Sequence, residues 1–446
     1  MDYLWESDKQ PEYPALPGDT DADVLVIGGG MAGVLCAYRL QEAGVDCVLV
    51  EGDVPGNGTT RGTTAVLTAQ HDTLYSDLIQ KRGEAAARRY LFANLRAVEQ
   101  FRALAEKIPC DFEQKPSYMY TCGTPGEYSA ERLRQEAQAV RTLGFPAEFV
   151  ADAGLPFPIA GAVRYPDMAQ FHPLRFLHGV AKRLRVYAHT YVQKVDLKTN
   201  TAYTSRGRVH AKKIVVATHF PFPNRHGLYF MKLYQTRSYV AALENAPKLP
   251  GTYVGTGESS LYFRTAGDLL LIGGGDHRTG KGKPGGGADY VQSAARRLFP
   301  NARVRCVWAA QDCTTLDGVP YVGRYSRSTP DLYVATGFNE WGMTTAMLAA
   351  ELLTAQICRD APEDIAFTPR RSMLHPQLFT NLLETAAHLL RPTAPRCAHL
   401  GCALIWNKSE HSWDCACHGS RFSPVGAVLE NPAMHGLNPE KTEPPR

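Results

Sequence analysis

A glycine-rich turn near the N-terminus constrains the fold of this 446-residue chain more than any other feature. Residues 24–27 form a short apolar run typical of a buried parallel strand. Gly28, Gly30 and Gly33 follow in a G-x-G-x-x-G frame, and an apolar pattern of helical period comes next. Glycines at these places permit a tight turn and a close approach of the backbone to a phosphate group. The pattern therefore predicts a strand–turn–helix unit that binds a nucleotide.

A second apolar run, residues 47–50, ends in Glu51, which lies 18 residues after the last glycine of the frame. A carboxylate at this place can accept hydrogen bonds from ribose hydroxyls. The carboxylate, the strand and the helix together favour a nucleotide-binding site over a glycine-rich turn that has no function. The loop that follows is rich in Gly and Thr and offers N–H groups and hydroxyls to a second, buried part of a cofactor, which favours FAD over NAD. Its candidate cofactor ligands are Arg61, Thr63 and Thr64.

Composition and charge exclude several classes of protein. The formal net charge is +4, without any run of five like charges, which argues against a nucleic-acid partner. Residues 1–8 lack the basic stretch and apolar run of a signal peptide. The longest apolar helix candidate, residues 345–357, carries Glu351 and is too short to span a bilayer. We therefore expect a cytoplasmic enzyme without a membrane span.

Four of the eleven cysteines lie close together near the C-terminus. Within this cluster, Cys397-x-His399 and Cys415-x-x-His418 supply two thiolates and two imidazoles, one of each from each half. A Rieske [2Fe–2S] centre needs this set, with two Cys on one iron and two His on the other. Zinc modules usually pair Cys with Cys and His with His, so a structural zinc site is the weaker alternative.

Several segments in the first 365 residues together resemble the D-amino-acid-oxidase-like (DAO) family of FAD-dependent oxidoreductases. Besides the glycine-rich turn and the Thr-rich loop, the segments that carry the resemblance are residues 190–192, 214–218, 308–312, 317–323, 332–338 and 342–344. The resemblance implies that the backbone at Val192 meets the adenine. It also implies that the last strand and helix, with Gly337, Gly342, Met343 and Thr344, face the flavin ring. His219 stands where the family usually has Gly.

The resemblance implies an α/β fold with a discontinuous domain layout. A Rossmann-like FAD-binding domain would be joined to a substrate domain with an antiparallel sheet, and a small all-β Rieske-type module would follow. The expected boundaries are 1–19 for an N-terminal arm, 20–80, 160–220 and 308–365 for the FAD domain, 81–159 and 221–307 for the substrate domain, 366–391 for a linker helix, and 392–446 for the module.

The two C-terminal loops resemble the cluster-binding loops of Rieske proteins. The resemblance implies that Cys397 and Cys415 ligate one iron, and that His399 and His418 ligate the other, exposed iron. We expect these histidines to be where electrons leave the protein.

The C-terminal resemblance also has departures and open points. Cys402 and Cys417 lie where respiratory-type Rieske proteins have a disulfide, and the sequence leaves this bond open. Ser420 matches a hydroxyl that hydrogen-bonds a cluster sulfur. Phe422 replaces a Tyr of high-potential members, which predicts a lower reduction potential. The tail 392–446 lacks the strands that normally precede the first loop, so the preceding helix or the flavin domain is expected to replace them.

A flavin and a one-electron cluster on one chain predict an electron relay. A small amine or amino acid would give a hydride to FAD, and the cluster would pass electrons singly to an external acceptor. The residues expected on the substrate side are Arg264, Tyr262, His219 and Trp341, with Tyr234 and Arg237 as further candidates. Two alternatives stay open: an electron-transfer protein without an amine substrate, and a flavin oxidase with a structural zinc module.

Overall fold

The computed structural model describes residues 3–7, 10–123, 129–257, 260–282, 286–392 and 395–438. A short 3-10 helix, Leu4–Ser7, precedes the α-helices and strands of the described chain. The α-helices are α1 (Met31–Glu42), α2 (Thr59–Gly62), α3 (Leu74–Arg82), α4 (Glu84–Ala105), α5 (Ala130–Thr142), α6 (Pro173–Ala181), α7 (Tyr229–Lys232), α8 (Gly287–Leu298), α9 (Gly342–Arg359) and α10 (Pro376–Leu390).

The strands of the described residues form four sheets. In chain order they are β1 (Thr20–Ile27), β2 (Cys47–Val50), β3 (Val66–Leu67), β4 (Glu113–Gln114), β5 (Ser117–Thr121), β6 (Glu148–Val150), β7 (Gly161–Tyr165), β8 (Ala169–Gln170), β9 (Arg185–Tyr187), β10 (Val192–Asp196), β11 (Thr201–Thr204), β12 (Arg208–Val216), β13 (Leu233–Glu244), β14 (Thr252–Gly255), β15 (Leu261–Ala266), β16 (Leu269–Arg278), β17 (Arg303–Thr315), β18 (Tyr321–Ser326), β19 (Thr329–Thr336), β20 (Ile405–Asn407), β21 (Ser412–Asp414), β22 (Arg421–Phe422) and β23 (Val428–Glu430).

The first sheet is the nucleotide-binding half of the fold. Its strand order is β10-β11-β12-β1-β2-β9, and β19 and β18 extend it beside β12. The strands β12, β1, β2 and β9 run parallel. The predicted strand 24–27 is the buried end of β1, and the predicted helix is α1, which packs against α9. Apolar residues on both faces of the parallel strands explain their continuous hydrophobic runs.

The second sheet has the order β17-β13-β16-β15-β14-β5-β7-β6 and is antiparallel except between β14 and β5. Its long strands β13 and β17 are paired over their whole length. Because β17 runs from residue 303 to residue 315, it crosses the expected domain boundary at residue 308. The carboxyl end of this strand therefore brings substrate-sheet side chains to the nucleotide-binding half.

The third unit is a small C-terminal module with the antiparallel sheet β20-β21-β22-β23. Its core contains Cys397, Cys402, Cys415, Cys417 and Phe422 among other buried residues. The helix α10 lies against it, and the N–H of Ala403 donates to the carbonyl of His388 at 3.0 Å. The fold class predicted from the sequence, an α/β protein with a small all-β module, is confirmed.

Within the described parts of the chain, no helix has the length and apolar character that crossing a bilayer requires.

Candidate functional site

The glycine-rich turn closes tightly over the first sheet. Gly28 has φ +109°, and a Cβ there would lie 2.5 Å from the carbonyl oxygen of Ala217. A Cβ on Gly33 would lie 1.8 Å from the carbonyl oxygen of Gly28. Both positions therefore exclude a side chain, and their glycines let α1 start directly at the end of β1. The N-terminus of α1 then faces a cavity, as a site for a pyrophosphate requires.

Glu51 lies at the carboxyl end of β2, beside the turn. Its carboxylate accepts the N–H of Gly29 at 2.6 Å and the N–H of Asp53 at 2.9 Å. Each carboxylate oxygen keeps a further lone pair, and the side chain lines the same cavity as the turn. This arrangement fits a ribose hydroxyl as the additional donor.

The cavity has a volume of about 600 Å³, within the range of cofactor sites. It extends from the glycine-rich turn to the carboxyl ends of β17 and β19. Ten of the predicted site residues line it: Gly28, Gly30, Glu51, Arg61, Thr63, Val192, His219, Gly337, Gly342 and Met343. Segments that are far apart in the sequence thus meet around one elongated space.

The N-terminal arm supports the loop that lines this cavity. The indole N–H of Trp5 donates to the carbonyl of Thr63 at 2.7 Å, and Trp5 is buried. Arg61 pairs with Glu6 at 2.8 Å, and its guanidinium lies 4.4 Å from the ring centroid of Tyr3. The arm therefore fixes the loop in place and compensates the charge of Arg61.

Arg264 is placed outside the cavity. Its guanidinium donates to the carbonyls of Thr64, Ala65 and Phe171, and it lies 5.4 Å from the ring of Trp5. Burial lowers the pKa of Arg264 to about 9. Through Nη1 this arginine ties together chain segments beneath the cofactor loop. Its Nε is buried without a hydrogen-bond partner in the described chain, and the residue lines a separate, smaller cavity.

Tyr262 and Trp341 are also absent from the wall of the cavity among the described residues. The hydroxyl of Tyr262 donates to the carbonyl of Tyr239 at 3.4 Å, within the substrate sheet. The ring of Trp341 stacks on His71 at 4.8 Å, and its N–H donates to Asp72 at 3.3 Å. Trp341 directly precedes α9 and therefore borders the cavity end without lining it.

Two other predicted cofactor residues act through packing or backbone contacts. The hydroxyl of Thr344 donates to the carbonyl of Thr68 at 3.3 Å, beneath the start of α9. Gly33 lies inside α1, against the turn. Both residues hold the elements that line the cavity, and neither is part of its surface. Thr64, a third predicted cofactor residue, also lies outside the wall of the cavity, and its carbonyl accepts a hydrogen bond from Arg264.

His219 has the left-handed backbone conformation expected of the glycine it replaces, with φ +64°. Its Nδ1 lies 3.4 Å from the hydroxyl of Thr59, and its Nε2 is buried without a hydrogen-bond partner in the described chain. Burial lowers the pKa of His219, so the ring is neutral. A neutral ring with a free nitrogen that lines the cavity can contact a bound cofactor or substrate.

Carboxylates line one end of the cavity. Asp312 on β17 and Glu340 before α9 both lie there, and Thr236 donates to Glu340 at 3.1 Å. Burial and the nearby carboxylates of Asp276 and Glu430 raise the pKa of Asp312 to about 7. Burial likewise raises the pKa of Glu340 well above its ordinary value, so Asp312 is the group at this end that ionises near neutral pH. Asp312 belongs to the segment 308–312 that resembles the DAO family, but no sequence pattern assigns it a role.

The predicted cluster ligands converge in the module. The rings of His399 and His418 lie 4.9 Å apart, and the Nδ1 atoms of both are buried without a hydrogen-bond partner in the described chain. Cys397 and Cys415 lie in the buried core of the module, where the Sγ atoms of Cys402, Cys415 and Cys417 are within 4.8 Å of one another. Two free imidazole nitrogens beside two thiols are the donor set that a Rieske cluster requires.

A hydrogen bond sets the tautomer of His399. Its Nε2 lies 3.0 Å from the side-chain oxygen of Asn224, so the Nε2–H donates and Nδ1 keeps its lone pair. Metal-ligating histidines usually donate their other N–H to such an oxygen. The pair thus fits ligation of iron through Nδ1.

Both cluster histidines contact the flavin-binding half. The side chain of His399 packs against Phe220, and that of His418 packs against Phe230 with only 1% of the residue exposed. His399 is partly exposed, and the exit of electrons at the cluster histidines stays a prediction.

Two buried glutamines connect the wall of the cavity to the cluster loop. Gln311 lines the cavity, and its amide donates to the carbonyl of Gly419 and to the side-chain oxygen of Gln235, both at 2.8 Å. The amide of Gln235 donates to the carbonyl of His418 at 2.7 Å. A single layer of side chains therefore separates the cavity from the cluster ligands.

The module also supplies part of the wall of the cavity. Residues 428–431, 433 and 434 line it. The side chain of Asn431 donates to the carbonyls of Thr218 and Phe220, and the hydroxyl of Tyr191 donates to the carbonyl of Met434 at 3.1 Å. No sequence pattern indicated this contact, since it depends on how the module docks.

Comparison with known proteins identifies both halves. A sequence model of FAD-dependent oxidoreductases, the DAO family, matches residues 23–356. The chain belongs to this family. The Rieske [2Fe–2S] domain model matches residues 379–440, so this DAO-family member carries a Rieske domain at its C-terminus.

Some relatives of this DAO-family chain align over nearly its whole length, and others align over about four-fifths of it. The Rieske 2Fe-2S iron-sulfur protein YhfW of Bacillus subtilis is 32% identical over 495 aligned residues, which cover 98% of this chain and 96% of that protein. γ-Glutamylputrescine oxidoreductase of Escherichia coli is 23% identical, over 82% of this chain and 90% of its own. The fold matches the crystal structure of glycine oxidase from Geobacillus kaustophilus with a TM-score of 0.64 and 22% identity, over 79% of this chain and 100% of that chain.

The family and the domain confirm the two predicted cofactors, FAD and a [2Fe–2S] cluster, and the assignment as an oxidoreductase. The residues around the turn, Glu51 and the cavity would hold FAD, which accepts hydride. The residues Cys397, Cys415, His399 and His418 would hold the cluster, which carries single electrons.

Proposed function

We propose that this DAO-family protein is a dehydrogenase of a small cationic amine, and that its cluster passes electrons singly to an external acceptor. Oxidation starts from the neutral amine, after the ammonium group has lost its proton to solvent, and removes two electrons as a hydride from the carbon beside nitrogen, which leaves an iminium ion. Because the cluster accepts one electron at a time, the two electrons must then reach it in two successive steps. The chain's own residues hold the two cofactors close together and shape the substrate end of the cavity.

The observation that carries this proposal is the Gln235–Gln311 pair. Gln311 lines the cavity, and its amide donates to the carbonyl of Gly419 in the cluster loop. A flavin in the cavity and a cluster in the module would therefore be neighbours. The buried position of His418 supports electron flow from the flavin side into the cluster. A module with only a structural metal would not need its ligand loops turned toward the cofactor.

The side chains around the cavity favour an amine over an amino acid as the substrate. Of the candidate arginines, Arg264 lies outside this cavity, and Arg237 is paired with carboxylates of the module. Arg61, which does line the cavity, is paired with Glu6. The ionisable groups that remain at the substrate end are the carboxyl groups of Asp312 and Glu340. Burial raises the pKa of Glu340 well above its ordinary value, so Asp312, with a pKa of about 7, is the carboxylate that can form there near neutral pH. An ammonium group suits this end better than a carboxylate does. The related E. coli protein is named for an amine, γ-glutamylputrescine.

Anaerobic titration tests the proposal. The purified protein is mixed with a panel of mono- and diamines and with the amino acids that share their side chains. We expect amines to bleach the flavin absorbance and to produce the electron paramagnetic resonance signal of a reduced Rieske cluster. Bleaching by amino acids alone would overturn the substrate class. Zinc without iron, or hydrogen peroxide formed in stoichiometric yield in a parallel aerobic assay, would favour the oxidase alternative.

Matched glutamine variants test the connection between the cofactors. In Gln311→Leu we expect flavin reduction by the amine to keep its rate, while reduction of the cluster slows at least roughly tenfold. Gln138→Leu, on the exposed surface of α5, is the control. Unchanged cluster reduction in Gln311→Leu would show that the pair does not position the two sites. If no amine reduces the flavin of the unmodified protein, the electron-transfer alternative is favoured.

A further inference from the structure

The helix α10, which joins the flavin-binding half to the module, has a solvent-exposed apolar stripe. Phe379 is 61% exposed, Leu383 is 72% exposed and Leu390 is 82% exposed. These positions are spaced by four and seven residues, so they lie on one face of the helix. Further exposed apolar side chains border the stripe: Leu374, Leu382 and Leu389.

The opposite face of α10 is buried and largely polar. Asn381 is 4% exposed and accepts a hydrogen bond from Arg278 at 3.0 Å. His388 is 8% exposed, and its carbonyl accepts the N–H of Ala403 at 3.0 Å. A surface helix normally turns its apolar face to the core and its polar face to water. In α10 the polar side chains face the protein, and the larger apolar side chains face outward.

The exposed face also carries no charge. All fifteen residues of α10 are described, and Glu384 is its one acidic or basic residue apart from His388. Glu384 is half-buried and forms an ion pair with Lys281. The exposed positions are therefore all Leu, Phe, Ala, Thr or Pro. A contiguous uncharged apolar surface of this size marks an interaction site.

We propose that this stripe packs against the same stripe of a second copy of the chain. At roughly 100 Å² for each side chain, the six exposed apolar residues offer on the order of 600 Å² per copy. Two copies would then bury roughly 1,200 Å², the lower bound of stable specific interfaces. A twofold interface places the same face opposite itself, which an uncharged stripe permits without repulsion. Depletion of charge at the core of the contact is typical of homodimers.

A lipid surface fits the stripe less well. Helices that lie in a membrane interface carry Lys and Arg on the face opposite their apolar residues. In α10 that face holds Asn381 and His388 and is occupied by contacts with the protein. The self-association proposal is independent of the substrate and of the electron acceptor.

The oligomeric state of the full-length protein, with its cofactors bound, tests the proposal. Sedimentation at micromolar concentration should give twice the mass of one chain. Leu383→Glu should weaken the dimer at least tenfold, because it places two buried like charges opposite each other. Val425→Glu is the matched control, since Val425 is 70% exposed and lies between β22 and β23 of the module, not on α10. The control should remain dimeric.

The flavin and cluster absorbance of each variant reports whether it is folded, so a loss of dimer in a folded Leu383→Glu protein supports the proposal. A monomeric unmodified protein at tens of micromolar would overturn it. A folded Leu383→Glu variant that stays dimeric would place the interface elsewhere. Binding of the monomer to phosphatidylglycerol vesicles, lost in Leu383→Glu, would assign the stripe to a membrane surface instead.

Discussion

Arg237, on the long strand β13 of the substrate sheet, forms a buried ion pair with Glu410 of the C-terminal module. The side chains are only 2% and 3% exposed. Arg421 and the hydroxyl of Tyr239 also donate to Glu410, and Glu430 is a second partner of Arg237. The pair thus belongs to a closed network across the docking surface. Arg237, a candidate for binding substrate from its sequence context, is used to hold the module.

Replacing the acid of this pair should loosen the module. In Glu410→Gln, Arg237 and Arg421 lose a shared counter-charge in a buried place. We expect the free energy of unfolding to fall by about 3 kcal/mol, the lower range for breaking a buried ion pair. Urea denaturation followed by the visible absorbance of the cluster measures this change. The control is Asp268→Asn, which removes an exposed ion pair with Lys248 and should leave the transition unchanged.

The pH dependence of the same pair has a defined sign. Burial alone would raise the pKa of Glu410, but Arg237 and Arg421 outweigh it and hold the pKa at about 2, below the ordinary value of 4.5. The stabilisation is therefore present above pH 4.5 and is lost as the pH falls toward 2. Between these values the unmodified protein should lose stability more steeply than Glu410→Gln. Parallel slopes for the two proteins would contradict this assignment.

Gly33 and Gly282 offer a matched test of the nucleotide-binding turn. A Cβ on Gly33 would lie 1.8 Å from the carbonyl oxygen of Gly28, whereas a Cβ on Gly282, which does not line the cavity, meets nothing within 4 Å. We expect Gly33→Ala to cost roughly 3 kcal/mol or more, because α1 must move away from the turn. Gly282→Ala should retain stability and flavin content. Flavin absorbance per chain and the midpoint of thermal unfolding measure both effects.

Local sequence patterns were sufficient to predict the parts of the fold that local chemistry determines. The turn at Gly28 and the acid at Glu51 are adjacent to their strands, so spacing alone placed them beside one cavity. The Cys and His pairs were equally recognisable, because each half of the ligand set, Cys397 with His399 and Cys415 with His418, lies within four residues of the chain. For these elements, the relevant geometry is set within a few residues.

Long-range packing determined what the sequence could not indicate. Arg264 and Arg237 lie on strands whose alternation shows that one face is buried, but not what covers it. Arg264 faces backbone carbonyls, and Arg237 faces the module. Likewise, residues 428–434 became part of the cavity wall only because the module docks there. The hydrophobic periodicity of a segment shows that one of its faces is buried, but it does not show which residues of another domain pack against that face.

Asp312 should control amine binding if the proposed substrate class is correct. Burial raises its pKa to about 7, so the carboxylate that would pair with an ammonium group forms as the pH rises through neutrality. We expect the KM for the amine to fall over this range in the unmodified protein. Asp312→Asn should raise KM roughly tenfold at pH 8 and remove the pH dependence, in line with the loss of one charged hydrogen bond. Asp289→Asn, in α8, is the control. Equal KM values across the three proteins would exclude Asp312 from substrate binding.

Asn431 should make retention of FAD depend on the docked module. Its side chain donates to the carbonyls of Thr218 and Phe220, beside the cavity that residues 428–434 help to enclose. In Asn431→Ala these carbonyls lose their partner and the segment is free to shift, so we expect FAD to bind roughly tenfold more weakly, equivalent to about 1.4 kcal/mol. Fluorescence titration of flavin-depleted protein measures the affinity. Val425→Ala, an exposed change in the same module, should bind FAD normally. If Asn431→Ala keeps the original affinity while its cluster spectrum is intact, the module encloses the cavity without contributing to FAD binding.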